Sequence, residues 1–228
     1  AAGEAVTAET KYDGDGDIES LTLTTENGSM TWDSSNSTEY EDVSPILLVV
    51  DRNDESSSVG IARPEENGFE YQTYGAWVTY DQDGSVTGGD GFSVGSPTEA
   101  AAIDTDGTAT FEGTAAGIYV SDGGDDTDIM TAKAHLDVDF AGRSIDFKTS
   151  DSQLVEIGEA RPDLDMSGTL TYAPGTNGFN GGVSTAGGVM SGTASGSFYG
   201  PGAEEVGGSF SLEGADEYLR GGFGAVRQ

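Results

Sequence analysis

The sequence predicts an all-β protein: an eight-stranded antiparallel up-and-down barrel preceded by a smaller, handle-like β-sheet domain. Three observations carry this. Glycine is abundant, at 36 of 228 residues, while proline is scarce at six, so chain reversals rest on glycine turns. No segment spaces its apolar residues at the 3.6 period of a helix. Short alternating runs are instead separated by Asp-Gly, Asn-Gly and Gly-Gly turns, the pattern of sequential hairpins.

The first hundred residues are β-rich but irregular. Candidate strands are Ile18–Thr25, Ser29–Trp32, Ile46–Asp51, Val59–Ala62, Phe69–Tyr80 and Gly91–Val94. They hold both tryptophans, Trp32 and Trp77, and they read as a handle-like domain over residues 1–100. A boundary is expected at Gly95–Gly107, where Pro97 and Asp104-Thr-Asp-Gly107 interrupt the alternation. The barrel domain is then expected over residues 101–228.

Its eight strands are cleaner. Thr108–Ala116 sets Ala109, Phe111 and Gly113 on one face, and Thr131–Phe140 sets Ala134, Leu136, Val138 and Phe140 together. Ser144–Thr149, Leu164–Tyr172, Gly178–Val183, Ser191–Tyr199, Glu205–Leu212 and Leu219–Arg227 complete the set. Eight such strands close into a barrel whose interior is filled by side chains. Glycines on the expected inner face (Gly113, Gly168, Gly192, Gly196, Gly208) suit strong curvature. The outer face carries Asp, Ser, Thr, Lys and Glu, where a membrane-spanning barrel needs an apolar band.

The net charge of −32, from 41 acids against nine Lys and Arg, excludes non-specific nucleic-acid binding, which needs cations on phosphates. Such charge suits saline or extracellular surroundings. With no cysteine there is no disulfide frame, thiolate metal site or cysteine nucleophile. There is no apolar run of membrane-helix length. The opening Ala-Ala-Gly-Glu predicts a processed chain.

Several stretches carry a resemblance. GTATFEGTAAG (107–117), LDVDF (136–140), NGFNGGV (177–183), FYGPGAEEVGGSF (198–210) and GGFGAVR (221–227) follow one another in order. They resemble the C-terminal barrel of transferrin-binding protein B and related Gram-negative surface lipoproteins. YGAWVTY (74–80) and FSVGSPT (92–98) resemble what precedes that barrel in shorter members. The resemblance implies a barrel beside a handle domain, at the outer-membrane surface or secreted. It implies a binding role toward haem, an iron carrier or another protein. The family's lipidated Cys is not among these residues, and the chain is one lobe where transferrin binders have two. Single-lobe relatives include haem-binding hemophores.

His135, the only histidine, is the candidate haem ligand, although it falls on the polar face of its strand between Lys133 and Asp137. Tyr119, Tyr172 and Tyr199 are alternative haem holders. Asp13, Asp15 and Asp17 alternate as calcium-loop acids do, but the twelfth position from Asp13 is Thr24, so the EF-hand form fails. Asp81–Gly84 and Asp122–Asp128 read as hairpin turns. Glu204 and Glu205 are expected to be solvated, or paired with Arg220 or Arg227. One histidine and no cysteine give little support to zinc or triad catalysis, and no enzyme activity is expected. A structural or adhesion subunit with divalent-cation-dependent self-assembly and a lipocalin-like carrier are the alternative functions.

Overall fold

The computed structural model describes residues 7–12, 18–25, 28–121 and 126–228. Three sheets follow one another. β1 (Thr7–Tyr12), β2 (Ile18–Thr25) and β3 (Gly28–Asp33) form an antiparallel three-stranded sheet. β4 (Ser37–Ser44), β5 (Leu47–Arg52), β6 (Ser57–Ala62), β7 (Gln72–Tyr80) and β8 (Val86–Gly95) form a five-stranded meander. A single helical turn, α1 (Pro64–Asn67), joins β6 to β7 and ends on Gly68 in the left-handed region at φ 73°.

The two small sheets share a core. Alternation in β2, β3, β5 and β6 turns Leu21, Leu23, Trp32, Val50, Val59 and Ile61 together, with Trp77 and Phe92 from β7 and β8. Both tryptophans are therefore packing residues.

The third sheet is the barrel. Its strands are β9 (Thr108–Ser121), β10 (Asp126–Asp139), β11 (Ser144–Leu154), the two-residue β12 (Glu159–Ala160) on the end of β11, β13 (Met166–Tyr172), β14 (Phe179–Thr185), β15 (Ser191–Tyr199), β16 (Glu205–Glu213) and β17 (Tyr218–Arg227). Each long strand pairs with the next in sequence. β17 then pairs with β9 from Tyr218↔Val120 to Arg227↔Phe111, which closes the eight long strands and leaves no free edge.

The interior is filled. Phe111, Phe140, Phe147, Phe179, Phe198, Phe210 and Phe223 are at most 1% exposed, and Leu136, Leu170, Leu212 and Leu219 fill the space between them. Phe198 is the hub, with its ring 5.5–6.4 Å from those of Phe111, Phe140, Tyr172 and Phe179. Burial of each such side chain stabilises by about 1.5–3 kcal/mol. The glycines make room for the rings. Phe179 faces Gly196, Phe223 faces Gly208, and Phe210 faces Gly221 as cross-strand pairs. A Cβ at any of the three glycines would stand 2.6–2.7 Å from its partner's ring. This is aromatic cover of strand glycines.

All eight expected barrel strands are present. β9, β10 and β11 run further than their alternation indicated. β1 and β4 went unread because TAETKY and STEYEDVS lack an apolar face. They are edge strands held by one neighbour each, where charged side chains are the usual protection against further pairing.

Candidate binding surfaces along the sheet and barrel seam

One face of the five-stranded sheet covers its own small core, and the other turns to the barrel. In the register Leu47↔Ala62, Val49↔Gly60↔Ala76 and Ser58↔Val78, the barrel-facing residues are Leu47, Val49, Ser58, Gly60, Ala62, Tyr74, Ala76 and Val78. The sheet does not lie on the barrel evenly.

At the β7–β8 side, backbone meets backbone. A Cβ at Gly91 would collide with the Gly221 carbonyl oxygen, and one at Gly222 would stand 2.7 Å from the Phe92 carbonyl oxygen. Polar bonds lock this side. Arg220 Nη1 donates to the Gly89 carbonyl at 3.0 Å, and Ser93 Oγ donates to Tyr199 Oη at 3.0 Å. Tyr74 Oη and Thr114 Oγ1 lie 2.7 Å apart, and Thr114 Oγ1 donates to Asn67 Oδ1.

Glu205 is a further tie, one whose contacts the local sequence does not signal. It is not solvated and does not pair with Arg220 or Arg227. It is 2% exposed, and Oε1 accepts the backbone N–H of Glu70 at 2.6 Å and that of Tyr71 at 3.1 Å. Burial pushes its carboxyl above the usual range, and the N–H donors from Glu70, Tyr71 and Gln72 pull it back down. Arg220 bonds Glu213 instead, and Arg227 bonds Asp104. Glu204 does stay at the turn, accepting the Gly202 N–H at 2.8 Å. A Glu-Glu pair gives no sign in sequence of which member turns inward. The alternation of β16, which starts at Glu205, is the available signal.

At the β5–β6 side the sheet and barrel part, leaving a cleft of about 300 Å³. Its walls are Leu47, Val49, Ala76 and Val78 from the sheet, and Ala116, Ile118 and Ile129 from β9 and β10. Asp51, Asp128 and Glu156 also line it. A second, shallower trough of about 790 Å³ runs between β8 and the outer face of β14–β16, lined mainly by Gly and Ser.

His135 lies on the outer barrel face. Its Nδ1 is 2.7 Å from Glu112 Oε1 on β9, and its Nε2 is 2.9 Å from Asp137 Oδ2 on its own strand. Both ring nitrogens are engaged, and the two carboxylates raise its pKa, that of Asp137 more. Tyr199 and Tyr119 are buried at the ends of the barrel, each hydrogen-bonded to a protein group. Asp13, Asp15 and Asp17 lie outside the described residues. Asp81 caps the β7–β8 hairpin as expected, its Oδ1 accepting the N–H of Asp83 and Ser85 at 3.0 Å. Among the described residues, no group of three or more His, Cys, Asp or Glu side chains is arranged to hold a metal.

The family model of the C-lobe and N-lobe β-barrels of transferrin-binding protein B matches residues 64–227. No curated protein matches the sequence. Among solved structures, transferrin-binding protein B from Haemophilus parasuis superposes with a TM-score of 0.61 at 18% identity, over 97% of this chain and 45% of that one. The protein of the same name from Neisseria meningitidis gives 0.55 at 21%, over 98% and 43%. The chain thus spans a little under half the length of these relatives. The N-lobe domain of lactoferrin-binding protein B of Moraxella bovis is matched end to end, 100% of both chains, with a TM-score of 0.50 at 14% identity. At these identities the likeness is one of fold. Through the match over 64–227, with the closed barrel and its adjoining sheet, the chain belongs to the family of transferrin-binding protein B lobe barrels.

Proposed function

We propose that this chain is a non-enzymatic binding lobe, displayed at the outer-membrane surface or secreted by a Gram-negative bacterium, that captures a protein ligand of the iron-carrier class. The carrying observation is the match of residues 64–227, the barrel with the adjoining β7–β8 hairpin, to a family named for binding transferrin. The filled barrel supports capture on an outer surface. Phe198 and its neighbours occupy the space in which a lipocalin would hold its ligand. The −32 charge supports fast, salt-sensitive association with a partner presenting a basic face.

We take residues 1–100 as the handle domain and 101–228 as the barrel. Three sheets that share no strand across that division support this. Haem capture is the second reading, resting on His135. Its ring would have to give up Glu112 or Asp137 to ligate iron.

Immobilised chain should be titrated with iron-loaded and iron-free transferrin and lactoferrin, and separately with haem. Saturable binding of one carrier, slower in onset at high salt, is the expected result. A Soret shift abolished by His135→Ala, with no carrier bound, replaces this reading with the haem one. Calcium-dependent elution on gel filtration, lost on changing Asp13, Asp15 and Asp17 to Asn, would favour assembly.

A further inference from the structure

The cleft between β5–β7 and β9–β10 has a feature that the fold does not require. Most interior-strand glycines of the five-stranded sheet are forced by crowding. A Cβ at Gly75, Gly89, Gly91 or Gly95 would run into backbone atoms. Gly60 is different. It sits mid-strand in β6, between Val49 and Ala76 on the cleft-facing side, and a Cβ built there meets nothing within 4 Å. Glycine within a strand is destabilising relative to Ala. It commonly marks a site where another group must come close. A larger residue at this position would fill part of the cleft.

The chemistry of the walls is also directed. The apolar surface is continuous from Leu47, Val49 and Val78 on the sheet to Ile118 and Ile129 on the barrel. Polar groups are few, and those that carry charge all carry one sign. Asp51, Asp128 and Glu156 line the cleft, and among the described residues no Lys, Arg or His does. Asp128 is 7% exposed, with its Oδ1 accepting the Glu156 N–H at 3.1 Å. A volume near 300 Å³ is at the small end of small-molecule sites.

We propose that this cleft binds a small amphipathic cation, an apolar or aromatic body bearing one ammonium group, with the body over Gly60 and the ammonium toward Asp51, Asp128 and Glu156. The apolar walls supply the contact area. The three carboxylates supply sign selectivity, since an anion of the same shape meets like charge. The proposal is independent of protein capture, because a volume near 300 Å³ is the scale of a small molecule.

The test is titration of the full chain with three probes of one shape: 2-phenylethylammonium, 2-phenylethanol and 3-phenylpropionate, followed by calorimetry and by amide chemical shifts. The ammonium should bind at least about tenfold more tightly than the alcohol, with shifts centred on β5, β6 and β10, and the carboxylate should not bind at roughly 10 mM. Gly60→Leu should abolish binding while the chain keeps its circular dichroism and melting temperature. If that variant fails to fold, the pair Asp51→Asn with Glu156→Gln decides. It should bring the ammonium down to the affinity of the alcohol. Equal binding of the ammonium and the carboxylate, no binding of the ammonium at roughly 10 mM, or unchanged affinity in either folded variant overturns the proposal.

Discussion

The barrel interior and the seam between barrel and sheet use the same device, glycine at a close approach, with different results. Inside the barrel Gly196, Gly208 and Gly221 each face a phenylalanine ring, and the wall is continuous because the β17–β9 ladder closes it. Along the seam, glycine lets two backbones touch at Gly91 and Gly221, but no ladder holds the sheets together. A few polar ties do so instead, and where they end, the cleft begins. Closure by hydrogen-bonded register seals all round, whereas closure by side-chain ties seals one side.

The largest effect should therefore come from the barrel. Phe198→Ala removes the ring that four other aromatic rings surround, and should cost about 3–5 kcal/mol in urea unfolding. A cost no larger than that of the seam variants below would mean that the barrel is not the dominant core.

The seam can be tested with two glycines. Gly91→Ala forces the sheet away from Gly221 and should cost about 1–3 kcal/mol. Gly60→Ala adds the same methyl where nothing lies within 4 Å, and should be neutral or stabilising by up to about 1 kcal/mol. Similar costs for the two would show that the sheet lies evenly on the barrel, and the contrast between its two sides would be lost.

Glu205 tests the ties. Glu205→Gln replaces one accepting oxygen by a donor facing the N–H groups of Glu70 and Tyr71, and should cost about 1–3 kcal/mol. The pH dependence has a definite sign. The folded pKa is raised above the ordinary glutamate value of 4.5, so the folded state holds the proton more tightly than the unfolded chain. The contribution of Glu205 to stability is full below that value and declines as pH rises through the folded pKa. The stability gap between wild type and Glu205→Gln should widen on acidification from neutral toward pH about 4.5. A gap that narrows over this range would mean that the hydrogen bonds outweigh burial.

Much of the barrel was legible because its strands alternate. Residues such as Phe111, Leu136 and Leu170 announce an inner face, and the GGFGAVR ending resembles a closing strand. The seam was far less legible. The burial of Glu205 depends on Glu70 and Tyr71, 135 and 134 positions away, and no local pattern encodes such a contact. The distinction between Gly60 and Gly91 is invisible in sequence, since it lies in what stands opposite each one. β4 was missed because its pairing with β5 is set by β5, whose LLVV run is the part that reads as a strand.

The smallest effect lies on the outer barrel face, away from both the core and the seam. His135 sits between Glu112 and Asp137, half-exposed, and both carboxylates hold its pKa above the ordinary 6.5. The sign follows directly: this pairing adds stability below pH about 6.5, and the addition fades as pH rises through the folded pKa. With a single histidine in the chain, its ring-proton titration by NMR is unambiguous. Asp137→Asn should lower the pKa more than Glu112→Gln does, and added salt should lower it in the wild type by screening two exposed pairs. Unfolding free energy should hardly move in either variant, since neither group is tied to the barrel interior or to the sheet. A wild-type pKa at or below 6.5 would mean that the two contacts at 2.7 and 2.9 Å do not persist in solution, freeing both ring nitrogens for a metal or haem iron.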